Sequence, residues 1–310
     1  MKIIERTTEF YIPEKTAIAI GKFDGIHRGH RALVESLNNA KRKGMKAAVF
    51  TFSPSPAAFF SGQEIKELTT KEEKRVLFEQ MGIDYLVEYP LCSKTAAIAP
   101  DVYVKEFLLE KMNGALIVAG EDVSFGEGGK GNRELLEEMS VQCGFALELI
   151  QKLKSGEREI SSTYVREEVL AGHMEKASEL LGEPYFVSGR VENGKKLGRR
   201  LEMPTANLYP ENDKLLPPNG VYFSRVYLEG EIYQGVTNIG NRPTVRDGNR
   251  ISAETYLLDF EKEIYGNFIK VELLHFKRKE KKFQNEEHLK QAVKEDILKA
   301  GEYFGIKTEK

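Results

Sequence analysis

With 310 residues, 46 Lys and Arg against 48 Asp and Glu, and a net charge of −2, the chain is long enough for two cores. It carries no global field for nucleic acid or an anionic membrane surface, and a polyanionic ligand would need a local site. Two cysteines, Cys92 and Cys143, exclude a disulfide framework or a paired zinc motif and predict buried thiols in a reducing compartment. The N-terminal MKIIERTTEF lacks an apolar signal core and no run of about 18 apolar residues offers a membrane span, so a soluble cytoplasmic protein is expected.

Thr16 to Ile20 (TAIAI) is a short apolar run with the length of a buried strand, and Leu33, Leu37 and Ala40 follow at helical spacing. Between them lies GKFDGIHRGH, Gly21 to His30. A strand, a glycine-containing turn and a helix N-terminus aim backbone N–H groups and a positive dipole end at one point, which favours a bound phosphate. His27 and His30 stand three apart, so a helix beginning there would put both imidazoles on one face, able to donate hydrogen bonds to phosphate oxygens. The plain alternative is a capping turn of surface polar residues. Against it, two of the chain's five histidines share a four-residue window with Gly25 and Gly29. Metal ligation is disfavoured, because no third ligand stands at the right spacing.

GKFDGIHRGH resembles the phosphate-binding signature of nucleotidylyltransferases with an HxGH motif, and with Phe23 and Asp24 it is similar to that of prokaryotic FAD synthetases. That resemblance implies ATP contacts from Gly21, Phe23, Asp24, Gly25, His27 and His30, and a riboflavin kinase fused behind the first domain.

KAAVFTF, Lys46 to Phe52, reads as a second buried strand, which SPSP breaks. In α/β sheets ligands bind at the carboxyl ends of strands, so the turns after Ile20 and Phe52 are expected to face one crevice. TFSPSPAAFF also resembles a TFxPxP segment of FAD synthetases. The alternation continues with a charged helix from about Thr70 to Met81, a strand DYLVEYP, a helix from about Pro100 to Met112 and a strand ALIVAG, which predicts a doubly wound parallel sheet of Rossmann type. In EDVSFGEGGKGNRELL, Gly126, Gly128 and Gly131 match GxGxxG spacing, but the match begins several residues past its strand, and a mobile loop is the expectation. The segment resembles the family's GEDFRFG stretch, which implies that Asp122, Phe125 and Gly126 bind the flavin. Val123 and Ser124 depart from that pattern and remove an aromatic surface and a cation.

After the strand FALELIQ comes ISSTYVREEVLAG, whose hydroxyls are natural helix N-caps. It resembles the ISSTxIR motif of the same family, which implies that Ser161, Ser162, Thr163 and Arg166 hold the ATP triphosphate; a planar guanidinium suits that task. Helical spacing continues through Ala177 and Leu181 and ends at Gly182 and Pro184, which sets the expected domains at 1–183 and 184–310.

Beyond that point YFVSGRV, VYFSRVYL, EIYQGVTNIG, SAETYLLDF and FIKVELLHF are aromatic and β-branched with turn residues between them, the pattern of an antiparallel β-barrel or sandwich. GRRLEMPTANL contains Thr205 and Asn207, ordinary turn residues that are also hard oxygen ligands suited to Mg²⁺ on ATP phosphates. The segment resembles the GxPTAN signature of riboflavin kinases, with Glu202-Met203 in place of the usual Gly-Phe. The resemblance implies Gly198, Thr205 and Asn207 as Mg-ATP contacts and Glu254, in SAETYLLDF, as the flavin-binding general base; read alone, Glu254 is an exposed strand carboxylate. KRKEKK, Lys277 to Lys282, reads as a solvated turn, and a final helix from about Asn285 to Phe304 carries an apolar stripe at Leu289, Val293 and Ile297 that should pack on the barrel.

The resemblance as a whole implies a bifunctional riboflavin kinase and FMN adenylyltransferase that uses ATP, Mg²⁺, riboflavin and FMN and makes FAD. A kinase with a silenced first domain and a non-enzymatic flavin or nucleotide sensor are the alternatives. Small molecules are the expected partners, without nucleic acid or membrane, and no feature specifies an oligomeric state.

Overall fold

A computed structural model describes residues 1–192, 203–244 and 248–306. They fall into two compact units, Met1–Ser162 and Thr163–Lys310.

The first unit is built on six parallel strands: β1 (Lys2–Glu5), β2 (Thr16–Ile20), β3 (Lys46–Ser53), β4 (Tyr85–Pro90), β5 (Gly114–Gly120) and β6 (Ala146–Ile150), in the order β1-β4-β3-β2-β5-β6. Every residue of β2 is buried, as its unbroken apolar run predicts for an interior parallel strand. The chain first winds outward through β3 and β4, then crosses to β5. The order therefore reverses beside β2, and the carboxyl ends of β2 and β5 flank a topological switch point.

α1 (Arg28–Lys41) follows β2 and buries Leu33, Val34, Leu37 and Ala40. α2 (Pro56–Ser61) follows β3. α3 (Lys71–Gln80) starts at Thr70, whose hydroxyl accepts the Glu73 N–H while the Glu73 carboxylate accepts the Thr70 N–H, a reciprocal cap. α4 (Ser93–Ala96) and α5 (Pro100–Val102) follow β4, and α5 runs into a π-helical stretch, Tyr103–Lys111, where one helix was expected. α6 (Arg133–Cys143), capped by Asn132, and a small hairpin, β7 (Lys154–Ser155) with β8 (Arg158–Glu159), complete the unit.

The helix expected to run on to Leu181 is broken. Gly172 has φ +79, and the chain divides there into α7 (Ser162–Ala171) and α8 (Met174–Leu181). Both helices cluster with the second unit.

That unit is an antiparallel sheet of β9 (Tyr185–Arg190), β10 (Thr205–Leu208), β11 (Gly220–Leu228), β12 (Glu231–Thr244), β13 (Gly248–Leu257) and β14 (Phe268–Lys279), ordered β10-β13-β12-β11-β14-β9. The sheet curls into a half-barrel, and one isolated bridge, from the Glu192 N–H to the Asn207 carbonyl at 2.9 Å, links its two edges. One face carries Tyr222, Val226, Ile239, Ala253 and Leu257, all buried, together with Ser224, Thr237 and Thr255. Those three hydroxyls satisfy one another, Thr237 Oγ1 lying 2.7 Å from Ser224 and 2.8 Å from Thr255. On the opposite face, Ile297 and Ala300 of α9 (Glu286–Phe304) pack with Val221, Phe223, Val236 and Leu258.

Two further expectations are corrected. Lys277, Arg278 and Lys279 belong to β14, and Arg278 grips the buried Asp296 carboxylate of α9 at 2.6 Å, so half of KRKEKK is strand and anchor. Cys92 and Cys143 are both exposed, because each stands at the edge of a short surface helix. Among the described residues no helix is long and apolar enough to cross a membrane.

A contrast between two glycines tests the packing. Gly126 has φ +69, and a Cβ there would lie 2.8 Å from the Pro100 backbone, whereas Gly144 has φ +74 with open space around it. Gly144→Ala is expected to cost about 1 kcal/mol and Gly126→Ala at least about 2 kcal/mol, read from chemical denaturation of the two variants.

Candidate active sites

The first site is a loop bent against its own preferences. Between β2 and α1, Phe23 (φ 52), Gly25 (φ 81) and Ile26 (φ 32) all take positive φ. Only glycine adopts that region readily; the side chains of Phe23 and Ile26 are fully buried, and their burial opposes the strain. Hydrogen bonds from distant segments fix the rest. The Asp24 carboxylate accepts the Leu68 N–H at 2.7 Å, the Gly25 N–H donates to Thr69 Oγ1 at 3.2 Å, and the Gly21 N–H donates to the Phe50 carbonyl at 3.3 Å. The Ser162 hydroxyl donates to the Asp24 carbonyl at 2.7 Å, so GKFDGIHRGH and ISST, 138 residues apart at this contact, meet directly.

This bend delivers the two histidines. His27 occupies the N-cap position of α1 yet makes no capping bond, which removes the plain capping explanation. Its ring stacks on that of His30, centroids 3.8 Å apart and planes 19° apart, the shared face that the three-residue spacing predicts. Phe23 supports the pair, with its ring 5.0 Å from His30 and edge-on to Phe78 at 5.3 Å. Nδ1 of each histidine is buried without a hydrogen-bond partner.

Burial, only partly opposed by the Asp24 and Asp122 charges, pushes His27 down to about 4. Burial also holds His30 well below its ordinary value, and the charges of His27 and Lys74 add to that. Both imidazoles are therefore neutral at physiological pH.

Across the switch point, the loop after β5 carries Asp122, Phe125 and Gly126. It is cross-tied where a mobile loop was expected: Phe125 and Gly131 exchange backbone hydrogen bonds, and the Glu127 N–H donates to the Ile98 carbonyl at 2.7 Å. Gly126, Gly128 and Gly131 thus serve a tight return, and α6 begins only at Arg133, so no helix N-terminus opens on the GxGxxG match. The Phe125 ring is buried against Tyr103, centroids 5.3 Å apart, and anchors the loop in the core. Val123 is half-buried against the same core, and the Ser124 hydroxyl donates to the Gly129 carbonyl. Asp122 is exposed and pairs with Lys152, 3.3 Å away. Ser161 and Ser162 lead into α7, with Thr163 and Arg166 in its first turns.

The second site is written in strand register. Asn207 of β10 stands directly opposite Glu254 of β13, and Asn238 of β12 faces Glu254 from the other side. Strand alternation puts Thr205, Asn207, Ser252 and Glu254 on the same face. Asn207 is 4 % exposed, and its side-chain amide donates to the Thr205 carbonyl at 3.1 Å. Glu254 is half-buried and accepts the Ser252 hydroxyl at 3.3 Å, so it is not the solvated carboxylate that its strand position alone suggests. Gly198 lies outside the described residues. Among the described residues no group of three or more His, Cys, Asp and Glu could hold a metal ion.

Thr69 and Asn238 escape the sequence reading because each enters its site through tertiary pairing, while Ser252, two residues before Glu254 on the same strand, is placed by strand alternation. Only the position of Asn238 in GVTNIG, one strand away from SAETYLLDF, hints at it.

Known proteins match this arrangement end to end. The FAD synthetase family model matches residues 10–164 and the riboflavin kinase family model residues 181–304. The Bifunctional riboflavin kinase/FMN adenylyltransferase of Bacillus subtilis (strain 168) is 34% identical over 94% of this chain and 93% of its own length. The protein of the same name from Escherichia coli (strain K12) is 36% identical over 94% of each chain. A solved structure described as Macrolide-efflux Protein from Streptococcus pneumoniae superposes with a TM-score of 0.82, at 28% identity over 96% of this chain and 97% of that one.

The neutrality of the histidines has a thermodynamic consequence. The unfolded chain protonates His27 near 6.5 and the folded one near 4, so between those values the unfolded state binds more protons. This contribution is present above pH 6.5 and is lost as pH falls toward 4, by up to about 3 kcal/mol. His27→Gln is expected to flatten that acid loss in denaturation curves taken between pH 7 and 4.5, and the His27 ring resonances of the wild type should not titrate between pH 5 and 8.

Proposed function

Because the chain belongs to the family of bifunctional riboflavin kinases/FMN adenylyltransferases, we propose that it makes FAD in two ATP-dependent steps. Residues 1–183 form the adenylyltransferase domain and 184–310 the kinase domain, acting in the cytoplasm. The observation that carries this reading is similarity over 94% of the chain to relatives named for both activities, with a separate candidate site in each half.

In the kinase domain, Glu254 takes the proton from the ribityl 5′-hydroxyl of riboflavin. The oxygen then bonds to the γ-phosphorus of ATP as the bond to ADP breaks. A half-buried carboxylate steadied by Ser252 suits a base that must reach one proton. Thr205 and Asn207 offer a hydroxyl and an amide oxygen, hard donors of the kind that would hold Mg²⁺. When bound, Mg²⁺ supplies charge neutralisation across the ATP phosphates.

In the adenylyltransferase domain, a phosphate oxygen of FMN attacks the α-phosphorus of a second ATP. The P–O bond to pyrophosphate breaks, and FAD is formed. The nucleophile arrives ionised, so this step needs positioning and charge stabilisation more than a base. His27 and His30 are neutral, and a neutral imidazole keeps one N–H that can donate to a phosphate oxygen as charge develops. The N–H groups of Gly21 and Gly25 are taken by Phe50 and Thr69, so Gly21 to Gly25 serve the phosphates through the shape of the loop. The segment Ser161 to Arg166 adds hydroxyls and a guanidinium, and Asp122, Phe125 and Gly126 shape the flavin side.

Chromatography of purified protein with riboflavin, ATP and Mg²⁺, alongside a reaction started from FMN, tests the proposal: FAD is expected from both starting points. FMN as the only product would mean a silent first domain, and neither product would leave a sensor. Glu254→Gln should lower riboflavin phosphorylation by about 10²-fold or more while leaving FAD formation from FMN intact. His30→Ala should do the reverse, costing about 10²-fold in FAD formation from FMN with phosphorylation unchanged.

A further inference from the structure

Lys152 stands just past the carboxyl end of β6, beside the switch point. The Glu121 N–H still donates to the Ile150 carbonyl, so β5 and β6 leave the sheet side by side, and Asp122 and Lys152 each lie two residues beyond the last paired position, Gly120 and Ile150. The Lys152 ammonium touches Asp122 Oδ2 at 3.3 Å and Glu159 Oε2 at 2.8 Å. It therefore lies next to a carboxylate whose charge reaches His27, and next to the residue two before Ser161.

The one cation assigned so far to the adenylyltransferase site, Arg166, serves the ATP triphosphate, and no assigned cation serves the FMN phosphate. An adenylyl transfer brings two phosphate-bearing substrates together, while His27 and His30 are neutral and Asp24 and Asp122 are acidic. An ammonium has three N–H donors in a rotatable head, and two of them serve the carboxylates of Lys152's ion pairs. The side chain is 37 % exposed, so the third donor can meet a ligand from the crevice.

Resting on the adenylyltransferase reading, we propose that Lys152 is a specificity-determining contact for the phosphate of the flavin nucleotide. The ammonium donates to a phosphate oxygen of FMN and keeps its Glu159 pair as a brace. Charge-assisted bonds of this kind are short and strong enough to govern a KM.

The test measures kcat and KM for FMN and for ATP in FAD formation, with riboflavin phosphorylation by the same samples as a control on integrity. Lys152→Met is expected to raise the KM for FMN by about tenfold with the KM for ATP nearly unchanged, and Lys152→Arg to stay within about threefold of wild type. Glu159→Gln separates a phosphate contact from a structural clasp: it removes the brace and leaves the cation, so the KM for FMN should not rise. A KM for FMN within twofold of wild type in Lys152→Met overturns the proposal, and so does a Glu159→Gln variant that reproduces the Lys152→Met loss. If the wild type forms no FAD from FMN, the adenylyltransferase reading itself fails and takes this contact with it.

Discussion

The hydrogen bond from Ser162 to the Asp24 carbonyl is the contact on which the first site depends. The loop it closes is locally unfavourable: Phe23 and Ile26, held at positive φ, each cost on the order of 1–3 kcal/mol. Full burial of the same two side chains returns a similar amount, roughly 1.5–3 kcal/mol each. The balance is close, so the hydrogen bonds donated by Leu68 and Ser162 and the one accepted by Thr69 decide whether the loop holds its shape. A loop made this way cannot relax alone, and it keeps the two imidazoles stacked with buried, unpartnered Nδ1 atoms.

The barrel reaches the same end by a different route. There the backbone is regular and the positions of the functional groups follow from register alone. Asn207 has two duties: its carbonyl receives the one bridge between the two edges of the sheet, and its side chain stands opposite Glu254. A slip of one residue in β10 would both break that bridge and turn Asn207 to the other face, because side chains alternate with a period of two.

Most elements of this architecture are legible in the sequence, and the exceptions share a cause. TAIAI and KAAVFTF announce buried strands, and Thr70 with Glu73 announces the start of α3, because their signals lie within a few residues of the structure they specify. β1 and the hairpin of β7 with β8 do not, since a half-exposed four-residue edge strand and two-residue strands have no apolar run to betray them. The break at Gly172 is hidden because glycine within an apolar-periodic stretch reads as a tolerated residue until its φ is known. The histidine pair and the segments resembling known motifs can be found from residue identity. Thr69 reaching Gly25 is a tertiary fact that residue spacing does not encode, whereas Ser252 beside Glu254 follows from strand alternation. The exposed cysteines belong here as well, for residue type sets a tendency to burial and packing sets the outcome.

The two sites differ in the chemistry of their nucleophiles, and the residues follow that difference. A ribityl hydroxyl holds its proton at neutral pH, so a kinase site needs a base, the role we propose for Glu254, which register and Ser252 hold in place. A phosphate monoester has already lost its proton, so a base in the adenylyltransferase site would be idle, and a further anion would repel both substrates. In the proposed reading that site instead offers neutral imidazoles, which would donate hydrogen bonds without needing to titrate; burial lowers the pKa of both, and a cationic imidazole would be costly there. Dry, neutral donors fixed in advance stabilise developing phosphate charge more effectively than flexible cations in water, because no reorganisation is needed as the charge moves. The strain in the Gly21 to His27 loop is what holds those donors in advance of the substrate.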